Sequence, residues 1–372
     1  MALSFKPISA DSHVVEPPDL WTKRIDRKYL DRAPRVVAEE DQDYFVCPGA
    51  LLGGKRGIGT SSTILKKSED ISMKERFANV LPGAYDPLAR VADQDRDGVD
   101  AEVLYTTFGS CMYAIEDLDF QFACMQAFND WLANFCASVP KRLYGAAMIP
   151  TEPIERAIGE MARCAKTGVL KTAHISISHD TGQGYENPKW DPLWAAAVDL
   201  DVPISLHVAG SKKHFGLTSN MLTDFTLAFT PAMYTITAMI LSGVFDRHRK
   251  LKVLSVENDV SWAAAVLERM DYRFERDRGW AGTGGITSGR KPSEIFHEHI
   301  LCTFMRDHTA VKNRELIGVR NMMWGSDFPH FDGTWPHSIE VLEGHFGGVS
   351  VEDQKRIARQ NVIDLYHLPY SA

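Results

Sequence analysis

Long hydrophobic runs are missing from this 372-residue chain. No stretch of about 18 apolar residues stands out as a membrane span, and the start MALSFKPISADSH lacks the apolar core of a secretory leader. Basic blocks are also missing. Lys and Arg number 41 against 49 Asp and Glu, a net charge of −8, which argues against nucleic acid as the main partner. An acidic total does not exclude anionic substrates, because a bound metal can attract them locally. The six cysteines (Cys47, Cys111, Cys124, Cys136, Cys164, Cys302) contain no C-x-x-C pair and fall mostly in apolar runs. They read as buried free thiols of a reducing cytoplasm, and none is the expected nucleophile. No G-x-S-x-G elbow occurs, which disfavours an acyl-serine hydrolase. The run Gly282-Thr283-Gly284-Gly285 precedes no clear strand–helix turn, so a phosphate loop is not expected there. Repeats and low-complexity tracts are absent.

What is present is ordinary globular composition, 44% apolar and 24% charged, enough for a large core. Short apolar runs at Phe5–Ala10, Ala101–Thr106, Tyr144–Ile149, Val169–Ile177, Pro203–His207, Lys252–Val256, His299–Phe304 and Met322–Gly325 read as strands. Helix candidates alternate with them: Asp86-Pro87 to Gly98, Leu118 to Ser138, Thr151 to Gly168, Trp190 to Leu200, and Ser261 to Phe274. Eight strands alternating with helices predict an α/β fold, a distorted TIM (β/α)8 barrel over residues 1–372 as a single domain. Residues 31–85 break the rhythm and read as an inserted cap or lid between strands one and two. Residues 280–292 read as a mobile loop before strand seven.

Polar residues gather at the C-terminal ends of the expected strands, where barrel active sites form. Asp11 and His13, two apart on strand one, project to one face. Glu16 follows in a loop stiffened by Pro17 and Pro18. His207 ends strand five, Glu257 ends strand six, and Asp327 ends strand eight with His330 three residues on. Imidazoles and carboxylates together suit zinc, iron or manganese. Each has a plainer reading: Asp11 as a carboxylate orienting an imidazole, Glu257 as a partner of Arg269, Glu16 as a rim residue, Asp327 as a turn cap. His174 and His179 on or after strand four read as structural or rim residues. Trp21, Trp262, Trp324 and Trp335 flank the mouth and offer an apolar pocket lining or core packing.

The runs DSHVVEPPDLW, DPLWAAAVDLDVPISLH, VENDVSWAAAVLERMD and WGSDFPHFDGTWP, with a closing ARQNVIDLYHL, resemble the amidohydrolase superfamily. The resemblance is to its amidohydrolase-related branch, which includes aminocarboxymuconate-semialdehyde and resorcylate-type decarboxylases. It implies one divalent ion (Zn, Mn or Fe) on Asp11, His13, His207 and Asp327. Glu257 and His330 would be the catalytic residues, and the reaction hydrolysis or non-oxidative decarboxylation of a small, often aromatic, carboxylic acid. Two departures stand out: Asp-x-His replaces the common His-x-His, and Glu257 occupies a position that often holds a catalytic histidine. With Glu16, Glu257 and His330 as further ligands, the carboxylate-rich set also resembles barrel proteins of the same superfamily that are dinuclear (Fe/Fe or Mn/Fe) non-haem monooxygenases. A third expectation is a catalytically silent metal-bearing subunit that supports a homologous partner. The branch further implies a cytoplasmic homo-oligomer, or a hetero-oligomer with a homologous subunit, acting on a small molecule, with no nucleic acid or membrane partner.

Overall fold

The computed structural model describes residues 3–50, 54–177, 184–208 and 220–370. Strand β1 (Ile8–Val14) begins only after Pro7, whose ring nitrogen has no proton to donate, and so sits later than the run Phe5–Ala10 suggests. A small antiparallel sheet follows, β2 (Arg35–Ala38), β3 (Asp43–Val46) and β4 (Lys55–Gly57). Gly54 closes the β3–β4 connection at φ +66°, where a Cβ would stand 2.0 Å from the Cys47 carbonyl oxygen. The chain then alternates through β5 (Ala101–Thr106), β6 (Leu143–Met148), β7 (Leu170–Ser176), β8 (Ile204–His207), β9 (Val253–Val256), β10 (Ile300–Phe304) and β11 (Met322–Trp324).

These eight long-range strands pair in parallel in the order β1-β5-β6-β7-β8-β9-β10-β11. Every one of their residues except Lys171 is buried, as in a sheet covered on both faces. The two ends of the sheet meet through residues of the expected site. The Asp327 amide donates to the Asp11 carbonyl at 2.9 Å and the His13 amide to the Phe328 carbonyl at 2.7 Å. The result is the expected (β/α)8 barrel. Its interior is a separate apolar cluster built on Ile8, Val103, Tyr105 and Leu254, sealed below by Val362, Ile363 and Tyr366 of the C-terminal helix Asn361–Tyr366. Asn361 fastens that helix by donating to the Met322 carbonyl at 2.7 Å.

Helix punctuation follows side-chain chemistry. Asp86 accepts from the amides of Leu88 and Ala89 to start Pro87–Asp97, which ends at Gly98 with φ +76°. Leu118–Ala137, Ile154–Ala165, Asp191–Asp199 and the longer Trp262–Ala281 occupy the other expected places. Within the segment 280–292, Asp246 accepts from the Thr287 and Ser288 amides at 2.6 and 2.8 Å and from Arg290 at 2.8 Å. One expectation needs correction. Met221–Leu241 is long and apolar enough to cross a membrane by length and composition, a property hidden by its scattered threonines. It forms two helices, Met221–Thr226 and Thr230–Leu241, the second placing Ile236, Met239 and Ile240 in the core.

Candidate metal centre

Local backbone geometry places each donor at the barrel mouth. Asp11 lies within a register shift of β1 between Ser9 and Ser12, and His13 just past it. His207 is the last residue of β8. Glu257 follows β9 and Asp327 follows β11, both in the left-handed region at φ +57° and +54°. Non-glycine residues are strained there by roughly 1–3 kcal/mol, a conformation that persists only where the surroundings enforce it. At Glu257 the enforcing bond is its own amide donating to Thr303 Oγ1 at 2.9 Å, and at Asp327 it is the amide bond to Asp11.

The donor atoms converge. His13 Nε2 lies 3.2 Å from Asp327 Oδ1, 3.4 Å from Glu257 Oε2 and 3.7 Å from Asp11 Oδ1. His207 Nε2 lies 3.2 Å from Glu257 Oε2 and 3.6 Å from Asp11 Oδ1. Ligands about 2.1 Å from one ion stand about 3.0 Å apart at right angles and about 3.4 Å apart in a tetrahedron, so this spacing is what a shared cation leaves. The tautomers agree. His13 Nδ1–H donates to the Thr106 carbonyl at 2.9 Å and His207 Nδ1–H to the Val208 carbonyl at 2.8 Å, which turns both Nε2 lone pairs inward. Asp11 Oδ1, His13 Nε2 and His207 Nε2 are buried and have no hydrogen-bond partner. Orphaned acceptors of this kind are costly unless a cation satisfies them. A divalent ion fits the donor set.

The electrostatics point the same way. Burial opposes a charged ring at His13, yet the hydrogen bond and charge of Asp327, with Asp11, raise its pKa. Burial, reinforced by Asp327, pushes the Glu257 carboxyl well above the usual range. Burial would raise Asp327 too, but His330 and His13 hold it below the ordinary carboxylate value. Three carboxylates face two imidazole lone pairs, and positive charge is what they lack.

His330 stands beside this cluster. Its Nδ1 lies 3.0 Å from Asp327 Oδ1, its Nε2 shares a hydrogen bond with Thr107 Oγ1 at 3.1 Å, and its ring packs 4.1 Å from that of His13. The possible ligand groups overlap at His13: His13, Glu257, Asp327 and His330 in one, Asp11, His13 and His207 in the other. Glu16 departs from expectation. Its carboxylate accepts from the amides of Phe108 and Gly109 at 3.0 Å each and from Thr106 Oγ1, which pins the turn after β5. A carboxylate so occupied is a backbone anchor, and it is not among the converging atoms. His174 is buried on β7 with its ring 5.3 Å from that of His207. His179 lies outside the described residues.

A cavity of about 460 Å3 opens onto Asp11, His13, His207, Glu257 and His330. None of the four tryptophans named above lines it. Trp21 and Trp324 are fully buried, and Trp262 and Trp335 donate to the Asp259 and Asp93 carbonyls. The aromatic lining comes instead from Phe108, Phe225, Phe229, Phe304 and Phe331. Two further residues escape sequence reading. Thr303 on β10 donates to Asp11 Oδ2 at 3.2 Å while receiving the Glu257 amide. Arg56 on β4 reaches the cavity and donates to Ser110 Oγ at 3.2 Å. Neither sits in a recognisable motif; the pairing of β3 with β4 and of β9 with β10 sets their positions.

Comparison with known proteins agrees with this geometry. A family model described as "Amidohydrolase" matches residues 10–368. The γ-resorcylate decarboxylase of Rhodococcus jostii is 26% identical over 257 residues, covering 64% of this chain and 75% of that protein. A crystal structure of an amidohydrolase from Mycobacterium avium subsp. paratuberculosis superposes with a TM-score of 0.80 at 21% identity, covering 98% of this chain and 100% of that one. The dihydroxybenzoic acid decarboxylase of a Polaromonas species, solved with manganese and 2-nitroresorcinol, gives 0.65 at 19% identity, covering 98% of each chain. Over nearly its whole length, then, the chain belongs to the amidohydrolase family, as a metal-dependent barrel enzyme.

Proposed function

We propose that the protein is a metal-dependent carboxy-lyase that removes CO2 from an organic acid without oxidation. The observation that carries this reading is the set of inward-facing, partnerless atoms of Asp11, His13 and His207, with Glu257 beside them on the cavity wall at 20% exposure. Decarboxylases among its relatives favour this reaction over hydrolysis. A divalent ion held by Asp11, His13, His207 and Asp327 would supply a Lewis acid for the substrate's oxygen atoms. Arg56, which lines the cavity with the neutral Ser110 as its hydrogen-bond partner, would orient the carboxylate. Burial raises the pKa of the Glu257 carboxyl, and as a general acid it would deliver a proton to the carbon that loses CO2. The carbon–carboxylate bond breaks, the electron pair stays on carbon and takes that proton, CO2 leaves, and water reprotonates Glu257.

Manganese-loaded protein given hydroxylated aromatic carboxylates should release CO2 under anaerobic conditions. Glu257→Gln should keep its metal and lose turnover. A second reading has its own support, since six clustered side chains exceed what one ion requires and resemble a dinuclear iron or manganese–iron site. Iron-dependent oxygen consumption with an electron donor, or loss of metal in Glu257→Gln, would favour that oxygenase and overturn the carboxy-lyase. The six buried free cysteines suit a cytoplasmic setting, and the family resemblance favours an oligomer.

A further inference from the structure

The cavity above the metal donors has room for more than a one-ring acid, and part of its wall is apolar. Its volume is about 460 Å3, whereas a cavity of about 150 Å3 holds benzene. Its polar lining includes the metal donors, Arg56, Thr107 and Ser110, and also Thr60, Thr226, Asn258, Asp259 and Asp332. A second patch comes from one short stretch: Met221 and Phe225, one turn apart on the helix Met221–Thr226, line the cavity with Thr226, and Ala228 and Phe229 follow from the turn before Thr230. Phe304, the last residue of β10, and Phe331, in the loop after β11, add to it. Met221 is 64% exposed, an apolar side chain at the rim that a bound apolar group would cover.

Resting on the carboxy-lyase reading, we infer that the substrate is an amphiphilic acid whose carboxylate meets the metal and Arg56. Its apolar body, larger than a single ring and either a fused polycycle or a ring with an alkyl tail, runs along the Met221–Phe229 face. The polar groups fix one end of such a molecule, and the phenylalanine wall rewards each added carbon by removing it from water.

The test is a series of 6-alkylsalicylates from methyl to heptyl, titrated calorimetrically into the manganese-loaded protein. Binding should tighten about three- to fourfold per added methylene until the cavity is filled, on the order of a hundredfold between methyl and pentyl. Affinity that is flat or falls from methyl to pentyl overturns the inference. CO2 release from the methyl compound alongside flat affinity would sink the inference and leave the carboxy-lyase standing. Rising affinity with no CO2 release from any member would do the reverse. The double variant Met221→Ser, Phe225→Ser should reduce the gain per methylene; an undiminished gain would refute the placement of the tail. The wild-type series decides the size class even if that variant fails to fold.

Discussion

Thr303→Val should weaken metal binding without touching a metal ligand. The threonine is fully buried, and its hydroxyl serves two donors of the site at once, giving a proton to Asp11 Oδ2 at 3.2 Å and receiving the Glu257 amide at 2.9 Å. Valine keeps the volume and removes both bonds. The Glu257 amide is then buried without a partner, a penalty of about 1–3 kcal/mol. Glu257 also sits at φ +57°, so a backbone released from that bond relaxes toward negative φ. Asp11, a ligand in the proposed site, also loses the hydroxyl that orients its Oδ2. Loss of such an outer hydrogen bond lowers metal affinity about 10–100-fold, about 1.4–2.8 kcal/mol. The assay is manganese titration against a chelator of known affinity, with denaturant unfolding of the metal-free protein alongside. Thr303→Ser should restore affinity to within about threefold of wild type, since the hydroxyl returns. A valine variant with unchanged manganese affinity and a lowered unfolding midpoint would show that Thr303 only holds the fold, and the argument would fail.

Gly325→Ala should strip metal by a steric route, because its Cβ would stand 2.6 Å from Asp11 Cβ and 2.9 Å from the Asp11 carbonyl oxygen; elemental analysis should find far less metal per chain than in wild type. Arg90→Met should destabilise the protein by about 3–5 kcal/mol, read by denaturant unfolding, because the buried guanidinium pairs with Glu102 at 2.5 Å and supports the His13 carbonyl at 2.8 Å. Burial lifts the Asp97 carboxyl to about 6, against the hydrogen bonds it accepts from Ser338. Between about pH 4 and 6 the native state therefore holds a proton that the unfolded chain has released, so stability falls as pH rises through that window, by about 3 kcal/mol at most. Asp97→Asn should flatten this slope; an unchanged slope by pH-dependent unfolding would assign it to other groups.

The barrel and most of its helices were legible because their signals are local. Asp86 before Pro87 with Gly98 behind it specifies one helix within a single segment. Eight short apolar runs each ending near a polar residue specify strands that present a site at one end. The misreadings all concern placement. Glu16 has the right chemistry and the right neighbourhood for a ligand, yet the turn at 106–109 captures its carboxylate first. The tryptophans, by contrast, take core packing, the default reading for each: all four are buried, and the N–H groups of Trp21 and Trp262 donate to backbone carbonyls. Met221–Leu241 escaped notice because Asp224 and scattered threonines interrupt its apolar run.

The sequence alone determined the fold class, the candidate donor residue types and their positions at or just after strand ends. The periods of 2 and 3.6 residues and the chemistry of imidazole and carboxylate are properties of the chain itself. Tertiary structure decided which of those groups face one another. His13, His207, Glu257 and Asp327 lie far apart in sequence and meet only because the sheet closes between β1 and β11. It decided also that Arg56 reaches the cavity and that Thr303 braces two donors, since both depend on strand pairing that no local pattern encodes. The size and apolar character of the cavity belong to the same class of fact: they exist only once segments from several loops share one space.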